Sequence, residues 1–189
     1  MSSSKTIESN PRGIPKSPFI EDVEAHVGPS NDVEPALKSL QELLAKYRFM
    51  EQNAVQRKSN MTEKIPELQE TITMVELLQS QQENSLPVTF ELSDTLYAKA
   101  DVQPADTKEV YLWLGANVML AYEPSEALTL LASKLSSAKT TLQHADEDLD
   151  WLREQITVTE VNIARCYNYS VLLRRKQKQS GENGDEDKS

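Results

Sequence analysis

His144 stands close to Asp146, Glu147 and Asp148, a set of imidazole and carboxylates able to ligate a divalent cation. In the helical register developed below, His144 falls outside the apolar seam, so the group reads as a solvated helix face. Cys166 falls inside that seam, where a thiol acts as a small buried hydrophobe rather than a nucleophile. Neither His26 nor His144 lies near Cys166 in sequence, so no nucleophile and base are paired. His26 sits in a segment rich in Pro and Gly, with nothing to orient it. Gly115 stands alone and cannot form a phosphate-cradling loop. No catalytic, cofactor or metal site is expected, and an enzyme is the reading with the least support.

The elements that carry these residues are long helices. Apolar residues recur at spacings of three and four from Val33 through Leu37, Leu40, Leu44, Tyr47 and Met50, then from Met61 to Val75. This is a heptad seam, predicting a first coiled-coil helix over 31–84. The pattern slips near Tyr47–Met50 and Arg57–Ile65, where local unwinding is expected. Pro66 removes one backbone hydrogen bond and predicts a kink, not an end, because the period resumes at Leu68. A second helix over 124–178 opens with Pro124 in its first turn. Its seam runs Leu128, Leu131, Leu135, Ala138, Leu142, Ala145, Leu149, Leu152 and onward to Leu173, with Thr159 and Ser170 the polar members. The basic run Arg174-Arg175-Lys176 suits the negative end of the helix dipole.

Between the helices the period changes to two. Val88, Phe90 and Leu92 alternate with polar neighbours, and Ser93-Asp94 turns the chain into Leu96–Val102. After a loop with Pro104 and Asp106, Val110–Leu114 and Val118–Tyr122 flank the turn Gly115-Ala116-Asn117. Residues 86–122 therefore read as four strands in two hairpins. Residues 1–30 hold Pro11, Gly13, Pro15, Pro18, Gly28 and Pro29 and read as a flexible N-terminal arm, with Phe19–Val23 able to dock locally. Residues 179–189 read as a disordered tail.

Composition narrows the function. The 189 residues carry a net charge of −10 and only 6% aromatics, with a pI near 4.8. Such a chain is a poor match for nucleic acid or an anionic membrane surface. There is no apolar run of roughly 20 residues, and the N-terminal residues lack the apolar stretch of a signal peptide. The single cysteine fits a reducing compartment. The chain is expected in the cytoplasm, with some in the nucleus.

Two helices of similar length around a β insert return most simply as an antiparallel hairpin, each about 80 Å long at 1.5 Å per residue. Val110, Leu112 and Leu114 face one way and Tyr111 and Trp113 the other, while the fourth strand is apolar on both faces. Strands apolar on both faces need cover on both, and short sheets leave open edges. Other subunits are expected to supply that cover through Phe90, Leu96, Val110, Leu112, Trp113, Leu114, Val118, Met119 and Leu120. At the free end, Leu37 and Leu40 of the first helix meet Tyr169, Val171, Leu172 and Leu173 of the second. Apolar residues left exposed there would suit a weak grip on unfolded chains.

Several stretches carry a family resemblance: Arg12-Gly13-Ile14-Pro15, Phe19–Val23, Lys46–Met50, Asp94–Ala100, Leu112–Leu120 and Glu160–Arg165. Leu-Trp-Leu-Gly-Ala-Asn-Val-Met-Leu is the most specific, because coiled-coil bias does not produce it. From about Arg12 to Arg175 the chain resembles the α class of eukaryotic prefoldin subunits. The resemblance implies an α+β fold, a long antiparallel coiled-coil hairpin with two inserted β-hairpins. It further implies a hexamer of two α and four β subunits with a double β-barrel base and six arms. Its implied partners are other prefoldin α and β subunits, unfolded actin and tubulin, and the cytosolic chaperonin, with no ATP use and no cofactor. Family members tend to carry Tyr-Asn-Trp-Asp-Val where this chain has Tyr167-Asn168-Tyr169-Ser170-Val171. The rival reading is a structural coiled-coil tether that binds one folded partner.

Overall fold

The computed structural model describes residues 9–28, 32–81 and 85–182. The chain reads α1 (Val23–Val27), α2 (Glu34–Ser80), β1 (Leu86–Ser93), β2 (Leu96–Val102), a 3-10 turn (Pro104–Asp106), β3 (Val110–Gly115), β4 (Val118–Tyr122) and α3 (Pro124–Glu182). This is the expected α+β plan of two long helices with two antiparallel hairpins between them. Two compact units result, one of residues 1–57 and 144–189, the other of residues 58–143. The tail read over 179–189 lies outside the described residues from 183 on, as do residues 1–8 and 29–30 of the arm and residues 31 and 82–84 of the first helix segment.

The seam is more regular than the residue types suggest. On α2 the buried positions Leu40, Tyr47, Ala54, Leu68 and Val75 fall in one seven-residue register, and half-buried Met61 occupies the same row. The expected slips do not interrupt the helix. Tyr47 and Ala54 keep the inward register although one is large and one small, and α2 stays helical through Pro66. On α3 the matching row is Leu131, Ala138, Ala145, Leu152, Thr159 and Cys166, all buried. A repeat of seven keeps one stripe facing the partner helix, the condition for coiled-coil packing.

In the first unit, Leu40 packs near Cys166, and Tyr47 and Ala54 pack with Leu149 and Leu152. Rising numbers on α2 meet falling numbers on α3, so the pair is antiparallel. In the second unit, Leu68 and Val75 of α2 pack with Ala127, Leu131 and Ala138 of α3.

That second core also takes in the hairpin β3–β4. Buried Leu112 and half-buried Val110 and Tyr122 belong to it. This corrects part of the expectation that the chain leaves both hairpin faces uncovered. Val110 and Leu112 are covered by the chain's own helices. The α3 side of that core mixes small Ala127 and Ala138 with Leu128, Leu131 and Leu135.

The two hairpins turn by different means. Gly115 pairs with Val118, so Ala116 and Asn117 form a two-residue loop. Both have positive φ, 50° and 60°, the combination that a type I′ turn requires. Leu114 is the extra residue of a bulge, and Gly115 beside it takes φ 90°. In β1–β2 the register shift falls between Glu91 and Ser93.

Candidate functional site

The outer face of the second hairpin is apolar and exposed. Trp113 pairs with Met119 and Tyr111 with Ala121 across the strands. Alternation that turns Leu112 inward turns these side chains outward, and Tyr111 and Trp113 are 66% and 58% exposed. Leu114, Val118, Met119 and Leu120 are also exposed. Of the residues expected to meet other subunits, Trp113, Leu114, Val118, Met119 and Leu120 are therefore free to do so, and Val110 and Leu112 are not. Tyr111 belongs with them and was legible from its place two residues before Trp113.

The first hairpin carries a similar asymmetry. Leu86, Val88 and Phe90 share a face with Val102, Ala100 and Ala98, while Thr89 pairs with Lys99 and Glu91 with Tyr97 on the other. Phe90 and Leu96 are exposed. A two-stranded hairpin with one apolar face is marginal alone and gains stability when that face is covered.

A separate site lies on the first unit, and it falls on the segment expected to be a flexible arm. Residues 9–28 are bound to the helices. Asn10 closes a tight turn: its side-chain oxygen accepts from the N–H groups of Arg12 and Ile14 at 3.0 and 2.8 Å, and Gly13 takes φ 85°. Asn10 Nδ2 donates to Asp148 Oδ1 at 2.7 Å, and Arg12 donates to both Asp148 and Glu147. Ser17 N–H donates to Gln155 Oε1 at 2.9 Å, and Ile20 N–H to Asn162 Oδ1 at 3.0 Å. Asn162 Nδ2 returns a bond to the Pro18 carbonyl, and Arg165 donates to that of Glu21, both at 2.7 Å. Tyr47 donates its hydroxyl proton to the Pro15 carbonyl at 3.0 Å.

Polar side chains in a helix–helix groove need partners. Asp148, Gln155 and Asn162 are buried and stand seven residues apart, a second row beside the apolar seam. The strap satisfies that row. Thr159, one of the two polar seam positions, donates to the Gln155 carbonyl at 2.7 Å, so the Ser17 hydroxyl is the donor in the 2.9 Å contact between the two. Prolines and glycines in residues 1–30 suggested looseness; the missed signal was the seven-residue spacing of polar residues on the second helix. Asp148 likewise departs from the solvated face proposed for His144 and its acidic neighbours: His144 is exposed, but Asp148 is buried and bonded.

The strap also changes the reading of the expected gripping residues. Leu37, Leu40, Tyr169 and Leu173 join a cluster with Ile20, Val23 and Val27 of the arm. They are covered within the chain because Asp22 caps α1, accepting from Glu24 and Ala25 N–H groups, and directs Val23 and Val27 onto the groove. Leu172 stays 54% exposed and Val171 half-buried. Phe19, Phe49 and Tyr167, outside the set expected to grip clients, are exposed as well; Phe19 lies under the Arg165 guanidinium at 5.0 Å. Burial raises the pKa of Tyr169 first of all, and the nearby carboxylates Glu24 and Asp22 raise it further. Burial likewise pushes the Cys166 thiol up, which keeps it protonated near neutral pH.

Among the described residues no group of three or more His, Cys, Asp or Glu side chains converges as metal ligands do, and no helix is long and apolar enough to cross a membrane. Long paired helices joined through two hairpins, one with an open apolar face, define a coiled-coil subunit of the assembling kind. A family model described as prefoldin subunit matches residues 47–169. A prefoldin subunit 3 from Elsinoe fawcettii is 54% identical over 177 residues, covering 93% of this chain and 89% of the relative. A probable prefoldin subunit 3 from Schizosaccharomyces pombe is 49% identical, covering 90% and 98%. Prefoldin subunit 3 from Homo sapiens is 46% identical, covering 87% and 84%. Among solved structures, filamentous PFD from Methanocaldococcus jannaschii is similar at 14% identity and TM-score 0.49, covering 62% of this chain and 94% of that one. The chain belongs to the prefoldin family, a family of non-enzymatic co-chaperones.

Proposed function

We propose that this chain is one subunit of a cytoplasmic hetero-hexamer that holds unfolded or nascent actin and tubulin and passes them to the cytosolic chaperonin without turning over ATP. The observation that carries this reading is the uncovered face of β3–β4, with Tyr111, Trp113 and Met119 exposed side by side. A contiguous apolar face of this kind marks an interaction surface. The free edges of both hairpins offer backbone groups that strands of neighbouring subunits can pair with. In this arrangement residues 86–122 form the platform and the helical hairpin forms an arm. The arm holds clients through exposed apolar side chains such as Leu172, Tyr167 and Phe49. Individually weak and chemically unspecific, such contacts suit clients that share exposed apolar residues rather than a fold.

The test is native mass spectrometry of the chain recovered from its own cytosol, followed by addition of chemically unfolded actin. A six-chain complex that captures actin and releases it to the chaperonin without nucleotide of its own supports the reading. A monomer, or a fixed pair with one folded partner, points to a tether instead.

A further inference from the structure

We propose that the groove flanking the α3 seam is a binding site for extended polypeptide, read mainly through its main chain, and that residues 14–21 of the chain occupy it as a displaceable internal ligand. The proposal rests on the client-holding reading above and names the place and chemistry of one contact.

The geometry is that of a peptide track. Gln155 and Asn162 stand seven residues apart on α3, a rise of about 10.5 Å at 1.5 Å per residue. Ser17 and Ile20, whose N–H groups they receive, stand three residues apart, about 9 Å along a polyproline II chain, whose three residues per turn bring both groups to one side. One heptad of helix therefore matches three residues of extended peptide laid along it. Within residues 17–21 the helix contacts the N–H of Ser17, the carbonyl of Pro18, the N–H of Ile20 and the carbonyl of Glu21. A chain with the threefold repeat of polyproline II returns its main-chain groups to the same side every three residues, so any sequence able to adopt that repeat offers N–H groups at this spacing. Side-chain selection rests on two apolar sockets, one filled by buried Ile20 beside Leu40 and Cys166 and one by half-buried Ile14 against the cluster of Tyr47 and Leu149, and on the Ser17 hydroxyl at Thr159. The Arg165 guanidinium takes an aromatic ring, here Phe19.

Main-chain recognition with a few permissive side-chain sockets is the chemistry expected for a ligand of unfixed sequence. The strap holds this track closed, so an incoming segment must displace it. A site open in about 1–10% of molecules binds about 10- to 100-fold more weakly than the same site kept open.

The test uses the assembled complex. Ile20→Asp with Ser17→Asp in this chain ejects the strap, and a fluorescent synthetic peptide of residues 10–28 serves as the probe. The released complex is expected to bind the peptide in trans and to hold unfolded actin about 10- to 100-fold more tightly. Asn162→Leu added to it should abolish both gains. A released complex that ignores the peptide, or that binds it without competition from actin or an unrelated extended peptide, overturns the proposal. If neither complex binds actin but unrelated extended peptides still compete for the track, the track stands and the client reading falls. Hydrogen exchange on the unaltered complex gives an independent answer. Protection of the Ser17 and Ile20 amides should drop when client binds, and unchanged protection under saturating client overturns the proposal.

Discussion

Leu112 and Trp113 are neighbours in sequence and opposites in environment, and truncating each to alanine separates folding from assembly. Leu112 is 9% exposed within the core of its own unit. Leu→Ala at such a site costs about 2–5 kcal/mol, from lost burial and the cavity left behind. For a chain of this size that lowers the unfolding midpoint by about 4–20 °C. Trp113 is 58% exposed. A buried aromatic side chain covers about 150–250 Å², so roughly 90–150 Å² of Trp113 remains for a partner to cover. At about 25 cal/mol per Å² that is about 2–4 kcal/mol, or roughly 30- to 1,000-fold in assembly. Trp113→Ala should therefore leave the thermal melt of the purified chain, followed by circular dichroism, within about 2 °C of the parent. Titration with the partner subunits, followed by native mass spectrometry, should show the assembly loss. Leu112→Ala should show the reverse order of effects. Equal destabilisation of the isolated chain by both substitutions, or normal assembly by the Trp113 variant, would refute the assignment of the two faces.

Three further outcomes follow from the local chemistry. Asp148→Ala leaves the Asn10 amide and the Arg12 guanidinium without their buried acceptor, a loss of about 1.5–3 kcal/mol; hydrogen exchange should show faster opening of residues 10–17, and unchanged protection there would count against strap anchoring by Asp148. Burial raises the pKa values of Tyr47 and Cys166 in the folded chain. Their stabilising contribution is thus complete below the unfolded values, about 10 for tyrosine and 8.5 for cysteine, and is lost as pH rises through the folded ones. Melts between pH 7 and 11 should fall at the alkaline end, less so in Tyr47→Phe, and a flat profile would contradict the burial argument. Ala116 holds φ 50° in the β3–β4 turn, a conformation that costs a non-glycine residue about 1–2 kcal/mol; Ala116→Gly should raise the melting temperature, and a decrease would mean the turn is not strained there.

The elements were readable because their signals are periodic. Seam residues recur every three or four positions, and a shift to alternation over 86–122 marks the strands. The second turn was readable from Gly115-Ala116-Asn117 for a different reason: few residue types tolerate the backbone such a turn needs; the first falls at Asp94 and Thr95, one residue beyond the expected Ser93-Asp94, because Ser93 still pairs with Leu96. What pattern could not supply was the identity of the covering group. Val110, Leu112 and Trp113 look alike as apolar strand residues. Whether a strand face meets its own helices or another chain is set by tertiary packing, which here gathers Val110 and Leu112 into one core with Leu68, Val75 and Leu131.

The strap shows a deeper reason for the same difficulty. Apolar periodicity reports which residues avoid water, but Gln155 and Asn162 hold residues 17–21 by hydrogen bonds to the main chain, which has the same chemistry whatever the sequence. Residues 1–30 therefore looked loose, their Pro and Gly content being compatible with either an unbound arm or an extended ligand. The information lay on the other partner. Asp148, Gln155 and Asn162 repeat at seven, and a polar row buried beside an apolar seam demands satisfied partners. In a two-stranded coiled coil the facing helix covers the apolar seam and leaves its flank to water or to a third element. Buried polar residues in heptad register on that flank therefore signal a third element, and their amide and hydroxyl chemistry indicates that it presents backbone.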